Sequence, residues 1–155
     1  MKVKFNLNKN ILLLISAVAT FICLALDYTK SNLVVFSGTR TGYDMMGDVV
    51  DNLSLTHIMT IILVVVAGLM ALLGLITQFV KTDKMVNLIA FILLALALVC
   101  SVVSLINILA YAGDVNTSIT SLEVQIGLIL NLVFGAMFAV LYIFMPSKKA
   151  KKRRR

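Results

Sequence analysis

The chain has 155 residues, is 61% hydrophobic and only 14% charged, and carries a formal net charge of +7. Soluble domains average roughly 45–50% apolar and 25% charged, so a water-soluble domain of this size could not hide so much apolar surface. The composition excludes such a domain and makes the bilayer the expected solvent.

Four apolar runs follow one another: Ile11–Leu26, Ile58–Val80, Met85–Ala112 and Ile126–Met145. A helical span needs about 20 apolar residues, or about 17 at the short end. The second and fourth runs fit, and the third is long enough to tilt or protrude. The first recruits its polar neighbours to reach that length. The fold class expected is therefore all-α, an integral membrane four-helix bundle with helices near 9–27, 56–80, 85–112 and 121–145.

The first run also has features of a secretory signal, with Lys2, Lys4 and Lys9 ahead of it and "AVA" at 17–19 resembling a cleavage site. Cleavage there would leave "TFICLAL" as an apolar start, so an uncleaved helix is the better reading.

Orientation follows from the basic residues. All of the 14 except Lys30 and Arg40 fall before the first run, between the second and third, or in the tail Lys148, Lys149, Lys151, Lys152, Arg153, Arg154 and Arg155. The positive-inside rule makes that side cytoplasmic and the protein a multi-pass one of the cell membrane, with both termini inside. Asp27, Asp44, Asp48, Asp51, Asp114 and Glu123 fall on the other side. Residues 146–155 are read as a polybasic tail that holds anionic inner-leaflet lipid, at about 1 kcal/mol per basic residue near the surface.

Lipid tails are as apolar as leucine, so the helices must associate through small residues and hydrogen bonds. Ser16, Thr20, Cys23 and Asp27 share a face of the first helix, and Ala67, Ala71, Gly74 and Gln78 one of the second. Ala97, Ser101, Ser104 and Asn107 recur on the third. Glu123, Gly127, Asn131, Gly135 and Ala139 stand four apart on the fourth. These stripes read as the packing faces of a closed bundle. Cys23 and Cys100 lie at different depths and are expected to stay unpaired. Gly113 suits the end of the third helix, while Ser118, Thr120 or Ser121 suit the cap of the fourth, with Glu123 in its first turn.

Between the first two runs lies a polar insert, 28–55, containing "FSGTRTGYDMMGDVVDN". "NLVVFSG" has the β-branched and aromatic content of an extended segment, and glycines at 38 and 42 around Arg40 read as a pair of turns. Met45, Met46, Val49, Val50 and Leu53 then recur at helical spacing opposite Asp44, Asp48 and Asp51, which predicts a short extracellular amphipathic cap helix lying on the bundle. Arg40 is expected near an acidic rim of Asp27, Asp44 and Glu123, with His57 beside it, as an outer interaction site.

One histidine and two carboxylates drawn from three helices fit interfacial anchoring better than a metal site. The Gly-rich stretch lacks the Gly-Lys-Ser/Thr ending of a phosphate loop. No residue set for covalent catalysis occurs, and no ionisable residue falls mid-span, where pumps and proton-coupled carriers need one. No catalytic residue, cofactor or metal is therefore expected, and no specific nucleic-acid contact.

The layout, with "FSG…TG" in a long first outer loop and a short second one, resembles small bacterial four-span membrane proteins. That resemblance implies no functional residue. The claudin family shares the layout, but its pattern requires a tryptophan and cysteines in the first outer loop, which this chain lacks. The function expected is a non-catalytic membrane component, a self-associating homo-oligomeric scaffold or an accessory subunit of a membrane complex. The alternatives are an oligomeric pore lined by the Ser/Asn/Gly stripes, and a phage-type membrane-permeabilising or immunity protein.

Overall fold

A computed structural model describes residues 9–33, 37–47, 53–80, 84–115 and 120–145. In chain order these form α1 (Lys9–Ala25), β1 (Asp27–Leu33), β2 (Ser37–Thr41), α2 (Asp44–Gly47), α3 (Ser54–Phe79), α4 (Lys84–Val115), β3 (Thr120–Val124) and α5 (Ile126–Phe144). The protein is predominantly helical, and α3, α4 and α5 are each long and apolar enough to cross a membrane. α1 is apolar and shorter, at 17 residues.

The four long helices close into a ring in which α1 and α4 each pack against both α3 and α5. Inside it, Leu13, Ala17, Leu63, Ala67, Met70, Leu94, Ile108 and Leu128 are buried. Outside it the chain is just as apolar, with Val18 and Ile22, Val65 and Leu72, Ile92 and Val99, and Val133 and Val140 exposed on successive helices. A soluble bundle puts polar residues on that outer face. Here they are inside: Ser16, Thr20, Thr56, Thr60, Ser101, Ser104 and Asn131 are all buried. Each Ser or Thr hydroxyl in a helix has a carbonyl one turn back, and Thr20, Thr60 and Ser101 donate to Ser16, Thr56 and Ala97 respectively.

Small residues set how closely the helices approach. A Cβ built on Gly74 would stand 2.7 Å from the Leu14 side chain of α1. One on Gly127 would stand 2.7 Å from the carbonyl oxygen of Asp27. Gly135 faces Leu98 of α4 at ordinary contact distance. The stripes read from the sequence at Gly74, Ser101, Ser104, Gly127, Asn131 and Gly135 thus lie at contacts within the bundle, while Ala139 is half-buried.

The segments joining the helices at one end differ from the sequence expectation. Asp27 does not end the first helix but begins β1, and Gly38 lies within β2 rather than in a turn. Glu123 is not in the first turn of α5: Thr120–Val124 is a strand, and α5 begins at Ile126. Gly113 does not end α4, which runs on to Val115. The three strands form one antiparallel sheet in the order β2-β1-β3. The reason is hydrogen bonding. Backbone leaving a helix end needs new partners, and β1 finds them on both sides at once. The expected cap helix is seen only as the single turn of α2; Val49 and Val50 fall outside the described residues, as do Asp48, Asp51, Ser118 and the tail from Lys148 to Arg155. At 32 residues, α4 is about 48 Å long, more than the roughly 30 Å of a hydrocarbon core, and its far end packs against β3.

Candidate functional site

Among the described residues, the sheet end of the bundle collects most of the side-chain hydrogen bonds that join one element to another. β1 is the central strand: Thr29 pairs with Arg40 of β2 and Val124 of β3, and Lys30 with Thr39 and Glu123. The register shifts between Asp27 and Thr29, which places Tyr28 in a bulge. Bulges re-aim side chains, and here Tyr28 and Thr29 are both buried, at 1% and 2% exposure. Thr29, Arg40, Leu122 and Val124 therefore form the bundle-facing side of the sheet, and Lys30, Thr39 and Glu123 the side facing away.

Three links join the sheet to the helices. The Asn131 amide of α5 donates to the Tyr28 hydroxyl at 2.7 Å. Burial outweighs that bond and holds the Tyr28 hydroxyl well above its ordinary pKa, so it stays protonated. The main chain repeats the link, with the Gln125 amide donating to the Tyr28 carbonyl at 2.8 Å. Third, the C-terminal end of α1, where carbonyls lack helical partners, is met by the turn after β2. The amides of Gly42 and Tyr43 donate to Leu26 and Leu24, and the Tyr43 hydroxyl donates to Phe21. A Cβ at Gly42 would lie 2.9 Å from the Leu24 backbone, so only glycine allows this approach.

α2 is opened by a reciprocal cap. The Thr41 amide donates to an Asp44 carboxylate oxygen at 2.8 Å, and the Asp44 amide donates to the Thr41 hydroxyl at 3.2 Å. This is the capping-box arrangement. The Thr41 amide, and after it the Thr41 hydroxyl, hold the Asp44 carboxyl below the usual aspartate range. The next helix start is capped from a neighbour. Leu53, at the N-cap of α3, has no side-chain oxygen to offer, and Asn107 of α4 instead accepts from the Thr56 amide at 3.1 Å and the Thr56 hydroxyl at 2.6 Å. His57 donates through Nδ1 to the Met45 carbonyl at 2.7 Å, tying α2 to α3.

The five residues expected to form an outer interaction site, Asp27, Arg40, Asp44, His57 and Glu123, all lie at this end, on β1, β2, α2, α3 and β3. Asp44 stands close enough to Arg40 for the charges to interact. Glu123 lies on the other edge strand and the opposite face of the sheet from Arg40. His57 is committed to Met45. Arg40 Nη1 is buried with no hydrogen-bond partner among the described residues. No group of three or more His, Cys, Asp or Glu among the described residues is placed to hold a metal ion. Cys23 and Cys100 are free and buried.

Tyr28 and Thr56 were not marked by any sequence pattern. A tyrosine two positions past the end of an apolar run was the only local hint for the first, and a threonine at the third position of a helix for the second.

The arrangement defines a predominantly helical protein with three helices fit to cross a membrane and a small sheet joined to one end. No family model matches the chain, and neither a curated protein nor a solved structure matches it.

Proposed function

We propose that the chain is a four-span integral protein of the cell membrane, with Lys9 and the basic tail on the cytoplasmic side and the sheet outside. It serves without a catalytic role as a self-associating scaffold or accessory subunit, and the tail holds anionic inner-leaflet lipid. The observation that carries the reading is the inverted polarity of the ring: large aliphatic side chains cover its exterior while Ser, Thr and Asn lie inside. Phe79 and Phe144, at 90% and 80% exposure, are the last residues of α3 and α5 at the end away from the sheet, where an interfacial aromatic belt would stand.

Interior polarity argues against the pore. The polar stripes of α4 and α5 would have to face a channel between protomers, but Ser101, Ser104 and Asn131 are buried within one chain, and Asn131 is bonded to Tyr28. That leaves the apolar helix flanks for association within the membrane and the polar outer face of the sheet for partners outside it.

Membrane vesicles carrying the protein test this directly. The chain should resist alkaline carbonate extraction, and mild detergent should yield a particle heavier than one chain. A membrane-impermeant thiol reagent should modify Thr39→Cys from outside and miss Lys84→Cys; both positions are exposed, while the native cysteines are buried. Release by carbonate, or labelling of Lys84→Cys from outside, would overturn the topology. Steady unitary currents in planar bilayers would replace the scaffold with a conduit.

A further inference from the structure

At the end of the bundle opposite the sheet, a groove of about 360 Å³ opens between the start of α4 and the end of α5, with the first residue of α1 at its rim. Its floor is Tyr142, buried in the bundle and fixed twice. The Tyr142 hydroxyl donates to Asn87, 3.3 Å from the side-chain oxygen, and the Lys9 ammonium sits over the ring, 4.9 Å from its centroid. Lys84, the first residue of α4, also lines the groove. Toward the middle of α4 the lining becomes Leu88 and then Phe91, while Ile143 stands beside Tyr142 near the end of α5.

We propose that this groove is a specific site for one anionic phospholipid, its phosphate held by Lys9 and Lys84 and its acyl chains laid along Leu88 and Phe91. The proposal rests on the membrane reading above and is separate from the tail. Three observations point to this occupant. The first is charge. Of the seven acidic residues in the chain, six fall in the segments at the sheet end, and only Asp83 belongs to this one. The described carboxylates Asp27, Asp44, Asp114 and Glu123 are thus the length of the bundle away from both ammonium groups.

The second observation is the order of the lining. Lys9 and Lys84 are the first residues of α1 and α4, Leu88 lies one turn into α4 beside the Tyr142 ring, and Phe91 lies about a turn deeper, so charge gives way to apolar surface along the groove as in a phospholipid from head to tail. Basic pockets between spans on the cytoplasmic side hold phospholipid head groups for this reason. The third is pre-organisation. Lys9 is placed by its contact with the Tyr142 ring, a cation–π arrangement in which the N–H groups turned away from the ring can donate to an oxygen acceptor. A mobile surface lysine would have to be ordered on binding; this one is ordered already.

The test uses the full chain purified in mild detergent and offered phosphatidylglycerol or phosphatidylcholine, with retained lipid counted by native mass spectrometry. The expected result is one tightly retained phosphatidylglycerol and no comparable phosphatidylcholine. Replacing every basic residue from Lys148 to Arg155 by Gln should leave that lipid in place. Lys9→Gln with Lys84→Gln should weaken its retention about 30-fold, roughly fivefold for each basic side chain near an anionic head group.

Tyr142→Phe keeps the ring under Lys9 and should retain the lipid. Tyr142→Leu removes the ring and should lose preference while Lys84 remains. Millimolar inorganic phosphate should not compete, because it lacks the chains. Equal retention of both lipids, or loss of the lipid with the tail charges alone, overturns the site. So does full retention by the double lysine variant. Release of the unaltered protein from membranes by carbonate would instead overturn the membrane reading.

Discussion

Asn131, buried one turn into α5, donates to the hydroxyl of Tyr28, a bulge residue of the central strand 103 positions earlier in the chain. Neither group can reach water, so each depends on the other. Leaving a buried donor or acceptor unmet costs about 1–3 kcal/mol, and measured interhelical bonds in membranes run lower, at about 0.6–2 kcal/mol. Tyr28→Phe and Asn131→Leu should each lower unfolding stability in detergent by about 1–2 kcal/mol. The double variant should cost less than the two together, since it leaves no orphan. Simple additivity in a denaturant titration would show that the two residues act apart.

Glycines divide into those that touch and those that do not. At Gly127 the atoms in the way of a Cβ are the backbone carbonyls of Leu26 and Asp27, which cannot swing aside. Gly127→Ala should therefore cost about 1–3 kcal/mol, as overpacking does. It should also loosen β1 from α5, seen as faster amide exchange at Gln125. Gly68 of α3 has nothing within 4 Å of the same position. Gly68→Ala should be neutral or stabilise by up to about 1 kcal/mol through helix propensity. A larger loss at position 68 than at 127 would contradict this packing.

Asn107 supplies the α3 cap from another helix, which predicts a graded pair of effects. Thr56→Val removes the hydroxyl bond and keeps the amide bond, for a loss of about 0.5–1.5 kcal/mol. Asn107→Ala removes both and should cost more, about 1–2 kcal/mol as for a lost N-cap. Thermal unfolding of the two variants in the same detergent checks the order. The reverse order would mean that Asn107 is not the cap.

Asp44 gives the sheet end a pH dependence with a defined sign. Its carboxyl is held below the ordinary aspartate range by the Thr41 amide and hydroxyl. A group with a lowered pKa in the folded state lends stability that is present above the unfolded aspartate value and lost as pH falls through the lowered one. Protection of the α2 turn from proteolysis should thus hold at neutral pH and decline only below the ordinary aspartate range. Asp44→Asn should abolish that acid dependence. An unchanged acid profile in that variant would assign it to another carboxylate.

Arg40 is the exception among these polar groups, with one guanidinium nitrogen buried and unbonded among the described residues. Removing a polar atom that has no partner takes away no bond. Arg40→Gln removes that unmet nitrogen and a charge beside Asp44, and should change stability by less than about 1 kcal/mol. A loss beyond about 1 kcal/mol would show that Arg40 has a partner in the folded protein.

The helices were legible in the sequence because the signal for them is local. Four apolar runs, each bounded by polar residues, place α1, α3, α4 and α5 to within a few residues at most ends, and small-residue spacing marks the faces that meet at Gly74, Gly127 and Gly135. The sheet was not legible. "TSLEV" of β3 is five residues long with no clear alternation, and its partner β1 lies about ninety positions earlier. Strand pairing over such a separation leaves no periodic trace. Glu123 illustrates the cost of local reasoning: a carboxylate just ahead of an apolar run looks like a first-turn helix residue, and it became a strand residue because β1 offered open backbone hydrogen bonds. The cap of α3 by Asn107 and the Tyr28–Asn131 bond were decided in the same way. Hydrophobicity and helical period settle which residues become helices and which faces they hide. Which buried polar groups meet depends on how the helices are rotated and spaced, and that is a property of the assembled ring alone.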